Sequence, residues 1–206
     1  MAGTLALFIH GCGLNIGLIL PIIGRMKGNS AQRGVAGGSA PTMRLAAWGA
    51  GHQRSLCEML DEAELFTGLG WDEINTLSQF VSAHEADAGH ELFSEGSPGT
   101  SLYVLVQGCV ETRKDDGSRH CAVIAVERRG RSIGEMALID GEPRSATCVV
   151  TAPSLLLCMS REDFRRLGEQ HPALALRLVL RIARQISRRL RATSGQLVEY
   201  LGGDAQ

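Results

Sequence analysis

GEMALIDGEPRSAT, residues 134–147, is the most informative segment of the chain, and it interrupts a series of short strand-like runs. A short apolar helix pattern follows Gly134, and a helix that begins there leaves its first backbone N–H groups without partners. Free N–H groups near Ala137 and Leu138, with the positive end of the helix dipole behind them, attract a small anion. The stretch therefore predicts a turn and a short helix that together bind an anion.

Three side chains of the same stretch narrow the kind of anion. Arg144 follows a rigid proline and can present a planar fork of donors to two oxygens of a phosphate. Ser145 adds a hydroxyl, and Glu135 can accept a hydrogen bond from a sugar hydroxyl beside the phosphate. Taken singly, each residue has an ordinary structural explanation, such as a surface ion pair or a turn. Together, within a strand pattern, they predict a site for a ribose phosphate.

Closely spaced strand-like runs lie on both sides of the stretch and are separated by turn residues such as those of 95–99, 115–118 and 152–154. This pattern is typical of a jelly-roll β-barrel. We therefore expect a mainly β fold with flanking helices (α+β), with the anion-binding stretch inserted in the barrel and a long C-terminal helix after it. The predicted strands are 91–93, 101–106, 110–113, 121–126, 147–151 and 155–159.

The chain divides by composition into three parts. Residues 1–52 comprise a weakly hydrophobic segment and a linker rich in Gly, Ala and Ser, residues 53–170 form the predicted β domain, and residues 171–206 form the predicted helix. Residues 5–23 approach the length of a membrane span, although glycines and a proline dilute them, and they form a candidate membrane tether. The residues before Met43 also fit an over-extended reading frame, a disordered tail or a structured segment.

The C-terminal helix begins after Pro172 and carries an apolar seam with alternating spacings of three and four residues. Such a seam is typical of a coiled coil, so we expect a homodimer through this helix; packing along its own barrel is the alternative. Arginines flank the seam, and the common explanation for them is a solvated helix face. The seam positions are Leu176, Val179, Ala183, Ile186, Leu190, Thr193, Leu197 and Tyr200.

Composition excludes several classes of function. The net charge is -1, so no overall basic field favours nucleic acid or anionic membrane. The six cysteines are scattered without the spacing of metal ligands, which favours reduced thiols in the cytoplasm and no metal site. The chain contains no Walker A, H-E-x-x-H or G-x-S-x-G motif, so we expect no enzyme activity and no catalytic residues.

Two motifs resemble the cyclic nucleotide-binding domain, which bacterial cAMP receptor proteins, regulatory domains of protein kinases A and G, and cyclic-nucleotide-gated channels share. ELFSEGSPGTSLYVLVQGCVE, residues 91–111, resembles the glycine-turn motif of the barrel, and IGEMALIDGEPRSAT, residues 133–147, resembles the phosphate-binding cassette. The resemblance covers about residues 60–201. It implies the jelly-roll fold and binding of a cyclic nucleotide.

The resemblance also implies roles for individual residues. Glu135 would bind the ribose 2′-hydroxyl and Arg144 the exocyclic phosphate oxygens, with Ser145 and the amides near Ala137 around the same phosphate. Just upstream the chain departs from the family. Residues 131–132 are Arg and Ser where the family has acidic and aromatic residues, which puts the packing of the entry loop in doubt.

SRRLRATSGQLVEYL, residues 187–201, resembles the dimer helix of the bacterial cAMP receptor proteins, in which a Thr-Ser pair contacts adenine and the serine reaches across the dimer. Hydroxyl groups can accept from the exocyclic amine of adenine, which favours cAMP as the ligand, with cGMP as the alternative. A solvent-facing polar patch is the other explanation for the pair. The predicted ligand-binding residues are Gly134, Glu135, Met136, Ala137, Leu138, Arg144, Ser145, Ala146, Thr193 and Ser194.

These observations favour a non-enzymatic cAMP sensor in the cytoplasm that couples ligand binding to its C-terminal helix and signals to an unidentified effector protein. The alternatives are a receptor-type transcriptional regulator without its helix-turn-helix, a membrane-tethered sensor, and an interaction module that has lost its ligand. No recognition helix follows the dimer helix within the 206 residues, so we expect no direct DNA binding.

Overall fold

A computed structural model describes residues 40–46, 52–115 and 121–203. The predicted membrane tether, residues 5–23, lies outside the described residues. Two 3₁₀ helices, Glu64–Phe66 and Ser78–Phe80, accompany the longer elements. The strands are β1 (Met43–Leu45), β2 (Ser82–Ala86), β3 (Glu91–Phe93), β4 (Ser101–Asp115), β5 (Cys121–Glu127), β6 (Ser132–Ile133) and β7 (Thr147–Ser160). The helices are α1 (His52–Glu62), α2 (Trp71–Leu77), α3 (Glu135–Asp140), α4 (Arg161–Gln170) and α5 (Pro172–Gly203).

An antiparallel sheet forms the body of the domain. Its strand order is β1-β2-β7-β4-β5, with β3 paired to β7 and β6 paired to β4. The predicted fold class, mainly β with flanking helices and a long C-terminal helix, is confirmed. Within the described residues the sheet is not closed, because the path ends at β1 on one side and at β5 on the other.

The two longest strands, β4 and β7, each join two runs that the sequence predicts as separate strands. Their pairing extends from Ser101 opposite Ser160 to Arg113 opposite Thr147, with register shifts near Gly108. Gly108 has φ +103°, and a Cβ atom there would lie 2.1 Å from Ser154 Oγ. The bulge breaks the alternation of apolar residues, which is why the pattern predicts two short strands instead of one bent strand.

The apolar core is a cluster of buried side chains from the two long strands and the strands beside them. Its most deeply buried members come from β4 and β7, while β2, β3 and β6 each add an apolar residue. Burial of such side chains contributes on the order of 1.5–3 kcal/mol each. The cluster comprises Ala86, Leu92, Tyr103, Leu105, Val110, Ile133, Cys148, Val150 and Leu156.

Helices α4 and α5 follow β7 directly. Ser160 is the N-cap of α4, as predicted, because its hydroxyl accepts a hydrogen bond from the Asp163 amide at 3.0 Å. Helix α5 buries one face, which includes Leu178 and Ile182 with no exposed surface. None of the helices in the described part of the chain is long and apolar enough to cross a membrane.

The predicted linker contains a strand. Residues 43–45 form β1, which pairs with β2 so that Leu45 lies opposite His84. Thr42 and Arg44 hydrogen-bond to the Asp87 carboxylate just beyond β2. The sequence does not predict this strand, because three residues are too few to show a periodic pattern. The strand forms because β2 supplies its hydrogen-bond partners.

Candidate functional site

Residues 134–147, the cassette, begin with the short helix α3 between two glycines. Gly134 and Gly141 both adopt left-handed conformations, with φ of 78° and 77°. The first redirects the chain from β6 into the helix, and the second ends the helix with its N–H bonded to the Ala137 carbonyl. The sequence folds in this way here because glycine adopts this conformation without steric cost.

Gly134 is also required by a close contact. A Cβ atom at this position would lie 2.3 Å from Arg144 Nη1 and 3.1 Å from the Phe93 ring. The absent side chain therefore leaves the space in which the guanidinium lies. Any larger residue would displace Arg144.

Arg144 lies inside the cassette with 4% of its surface exposed. Its Nη1 donates to the Gly134 carbonyl at 2.7 Å and its Nη2 to the Ser101 carbonyl at 2.6 Å. The guanidinium carbon lies 4.0 Å from the centre of the Phe93 ring, which is a cation–π contact. Burial lowers the pKa of Arg144, yet an arginine in a protein stays charged. The cassette therefore holds a fixed buried cation, and its Nε has no hydrogen-bond partner among the described residues.

The loop between β3 and β4 fixes the backbone around Arg144. The Gly96 amide donates to the Arg144 carbonyl, and the Arg144 amide donates to the Ser97 carbonyl, both at 2.8 Å. Lys114 at the end of β4 donates to the Ser145 carbonyl at 2.7 Å and pairs with Glu95. These contacts hold the second half of the cassette against the sheet.

Glu135 is the anion of the site and has only 1% of its surface exposed. Arg189 of α5 donates from Nη1 to Glu135 Oε1 at 2.6 Å and from Nη2 to the Ser132 carbonyl at 2.8 Å. The other carboxylate oxygen, Oε2, has no partner among the described residues. Burial raises the pKa of Glu135, and the charge of Arg189 opposes that rise.

The structure brings most of the predicted cassette residues together and leaves others at the surface. Glu135, Ala137, Leu138, Arg144 and Ala146 are buried. Met136 is 45% exposed, Ser145 is also exposed, and Gly134 lies between Arg144 and α3.

The predicted base-contacting pair lies apart from the cassette. Thr193 and Ser194 are exposed on α5, about one helical turn beyond Arg189. No hydrogen bond between described residues joins them to the cassette.

Arg189 is the site residue that the sequence interpretation missed. Three arginines of this helix keep more than a third of their side chains exposed, yet each also pairs with a carboxylate of the domain. Arg177 contacts Glu73, Arg188 contacts Glu64, and Arg189 contacts Glu135. The available signal was the excess of arginine over acidic residues along α5, which predicts acidic partners elsewhere in the chain.

The family comparison agrees with this geometry. Residues 83–171, which include the whole cassette, match the family model described as "Cyclic nucleotide-binding domain". This match assigns residues 83–171 to a cyclic nucleotide-binding domain. The entry loop, where the chain departs from the usual pattern, is nevertheless packed in this domain: Arg131 pairs with Glu64, and Ser132 is fully buried.

Relatives of known function share this domain. The chain is 26% identical over 149 residues to the "CRP-like cAMP-activated global transcriptional regulator" of Mycobacterium tuberculosis strain H37Rv, an alignment that covers 71% of the chain and 64% of the regulator. The chain thus spans less than two thirds of the length of this relative.

Solved structures match the cyclic nucleotide-binding domain as well. The cyclic nucleotide-binding domain from Methylobacillus flagellatus has a TM-score of 0.66 and 26% identity, and the match covers 78% of this chain and 89% of that one. The regulatory domain of Toxoplasma gondii PKA, solved with cAMP, has a TM-score of 0.51 and 27% identity over 58% of this chain and 46% of that one.

Proposed function

We propose that the chain is a non-enzymatic sensor that binds a cyclic nucleotide, cAMP in particular, in the cassette. The observation that carries the proposal is a pair of buried, oppositely charged side chains, Glu135 and Arg144, on one cassette. Each has a polar atom without a partner among the described residues. Buried charged groups are costly unless they are paired, so these atoms indicate a ligand that carries both a donor and an anion.

A ribose cyclic phosphate has the groups that fit these two side chains. Its 2′-hydroxyl can donate to Glu135 Oε2, and its phosphate oxygens can accept from the guanidinium of Arg144. A guanidinium has five N–H donors, and the two carbonyl bonds to Gly134 and Ser101 leave Nε and further N–H groups for the ligand. The carbonyl bonds also hold the guanidinium plane in position, so less freedom is lost on binding.

The carboxylate of Glu135 links the ligand to α5. Its Oε1 accepts from Arg189, while Oε2 is the acceptor that we assign to the ribose. A ligand on one oxygen and a helix on the other stabilise each other, because both depend on the same ionised carboxylate. We infer that this shared group couples nucleotide binding to the position of α5.

Thr193 and Ser194 provide the means to distinguish the bases. They follow Arg189 on α5 and expose their hydroxyls, which can accept from the amine of adenine, whereas guanine presents a carbonyl at that position. A helix shift that brings the pair over the base would stabilise the bound position of α5.

The outer face of α5 supports a homodimer. Leu176, Leu180 and Leu190 are each at least 47% exposed on the face opposite the buried one. An apolar helix stripe of this kind is typical of an interface between helices. We propose that a second copy of the chain covers it, and that an effector protein responds to the paired helices. Sedimentation at the mass of two chains is the expected result.

Calorimetric titration of the whole chain with cAMP and with cGMP tests the proposed function. We expect cAMP to bind more tightly, and Thr193→Ala to reduce the ratio of the two affinities because it removes a hydroxyl from the base contact. The control is Thr76→Ala, since Thr76 is an exposed hydroxyl on α2 that donates to the backbone carbonyl of Asp72, far from the cassette in sequence. Absence of binding of either nucleotide at about 1 mM, where even weak binding near -4 kcal/mol is measurable, would refute the proposal.

Nucleotide affinity should fall in acid. Burial raises the pKa of Glu135, and the ionised carboxylate accepts hydrogen bonds more strongly than the protonated carboxyl group does. We therefore expect weaker binding as the pH decreases from about 8 to about 5. The contribution of Glu135 to folding stability has the opposite sign: it is present below the unfolded pKa and lost as pH rises through the folded pKa.

Titrations across this pH range, together with chemical unfolding, measure both trends. Glu135→Gln should bind weakly and with little dependence on pH. If the affinity of Glu135→Gln depended on pH as strongly as that of the unaltered chain, a group other than Glu135 would be responsible for the pH dependence.

The transcriptional alternative rests on the similarity to the mycobacterial regulator, which the chain matches over 64% of that protein's length. In that case the cassette and α5 would perform the same sensing step, and DNA binding would require a partner or a further domain. A gel-shift assay of the 206-residue chain with and without cAMP tests whether the chain itself binds DNA, and a shift would contradict the sensor proposal.

A further inference from the structure

One carboxylate, that of Glu64, joins three segments of the domain. Its Oε2 accepts from Arg131 Nη1 at 2.8 Å, and its Oε1 accepts from Arg188 Nη2 at 3.0 Å. The Glu64 amide also donates to the Gly130 carbonyl at 3.3 Å. Because Glu64 lies in the 3₁₀ helix after α1, the loop that leads into the cassette and helix α5 are both tied to the N-terminal helices. We call Glu64, Arg131 and Arg188 the Glu64 junction.

The junction is adjacent on α5 to the contact with the cassette. Arg188 and Arg189 are consecutive, so their side chains leave the helix about 100° apart. Arg188 reaches Glu64, while Arg189 reaches Glu135. Two ion pairs in different directions at one level of a helix fix both its rotation and its height relative to the domain.

The described part of α5 makes no buried contact beyond this point. Side chains 190–196 and Val198 are exposed, so the position of Thr193 and Ser194 depends on the anchors that precede them. The pair Arg188–Glu64 is the last anchor besides Arg189 itself in the described part of the helix.

We propose that Glu64 is a positioning residue for nucleotide binding: through Arg188 it holds α5 where Arg189 meets Glu135. This inference rests on the proposed function, since it assigns a role in regulating the same site. It also gives a role to Arg131, which donates to the other oxygen of the Glu64 carboxylate. An acidic residue at that position would repel Glu64, whereas Arg131 binds it and leaves the other oxygen for Arg188.

Glu64→Gln tests the proposal without a change in side-chain size. Exposed ion pairs contribute at most about 1 kcal/mol, which corresponds to roughly a fivefold change in an equilibrium constant. We therefore expect cAMP affinity to fall about two- to fivefold, because a smaller fraction of molecules keeps α5 in the competent position. Added salt should remove the difference from the unaltered chain, because it screens the pair.

Glu62→Gln is the matched control. Glu62 pairs with Arg129 in the same entry loop, and no hydrogen bond or ion pair joins it to α5 within the described residues. Its loss should leave affinity unchanged. Equal losses in Glu62→Gln and Glu64→Gln would overturn the proposal, since the effect would then come from the loop alone.

A double-mutant cycle separates the pair from its surroundings. If Glu64 acts through Arg188, the double variant Glu64→Gln/Arg188→Gln should bind no more weakly than the weaker single variant. Fully additive losses would contradict the proposed route.

Hydrogen exchange of α5 without nucleotide gives an independent readout. We expect faster exchange at residues 188–196 in Glu64→Gln than in Glu62→Gln or the unaltered chain. If no form binds any nucleotide, the proposed function fails, and the exchange difference still decides whether Glu64 anchors the helix. If all forms bind equally and exchange alike, the proposed function stands and the role of Glu64 is refuted.

Discussion

Arg144→Ala is expected to reduce cyclic nucleotide affinity by a factor of roughly 100 to 10,000. Charge-assisted hydrogen bonds contribute about 1.5–3 kcal/mol each, and the guanidinium can make two of them to a phosphate. The same change leaves the carbonyls of Gly134 and Ser101 without their donor. We therefore also expect the free energy of unfolding to fall by about 2 kcal/mol, a cost that the sequence alone does not predict.

Calorimetry with cAMP and thermal unfolding measure the two effects separately. Arg144→Lys keeps the charge but not the planar fork, so its affinity should lie between those of the alanine variant and the unaltered chain. Arg165→Ala removes the same charge from α4, where Arg165 pairs only with Glu162 and Glu169 in the described structure. An Arg144→Ala variant that folds and binds like Arg165→Ala would show that the cassette is not the site.

Gly134→Ala is expected to weaken nucleotide binding by at least about tenfold. A left-handed conformation costs a residue with a side chain about 1–2 kcal/mol. The added Cβ would also lie 2.3 Å from Arg144 Nη1, so the guanidinium must move away from the position in which it faces the phosphate. Hydrogen bonds weaken steeply when their distance or angle changes, so a displaced guanidinium would lose its bonds to the phosphate.

Gly68→Ala is the control for backbone strain. Gly68 has φ +76°, almost the same as Gly134, but the nearest atom to the position of an added Cβ there is Arg181 Nη2 at 3.4 Å, an ordinary van der Waals contact outside the cassette. Both alanine variants should therefore lose similar stability from the backbone, as measured by chemical unfolding. Only Gly134→Ala should also lose affinity, and equal affinity in the two variants would mean that the contact with Arg144 is unimportant for binding.

The sequence predicted the fold class because its strands alternate and its turns carry glycine, proline and aspartate. It also predicted which cassette residues are charged, and the structure buries Glu135 and Arg144 together with Ala137 and Leu138. These features are local: a short run of residues contains both the pattern and its physical cause. Their assignment as ligand contacts remains a prediction.

Long-range pairing explains what the sequence left out. Strand β1 forms only because it pairs with β2, which lies about forty residues later in the chain. Strand β4 is continuous only because a bulge at Gly108 leaves room for Ser154. Arg189 reaches Glu135 over a separation of 54 residues. A periodic pattern can place an arginine on a helix face, but it cannot specify which distant carboxylate that face meets.

Helix α5 would move as a lever if the ion pairs of Arg188 and Arg189 served as its pivot. From Arg189 to Gly203 the helix continues for about 14 residues, which is roughly 21 Å at 1.5 Å per residue. A tilt of about 10° at the pivot would therefore move the far end by roughly 4 Å. Under the proposed coupling, a change at one carboxylate of the cassette that is too small to alter the sheet would become a displacement as wide as a side chain, which a second molecule could detect.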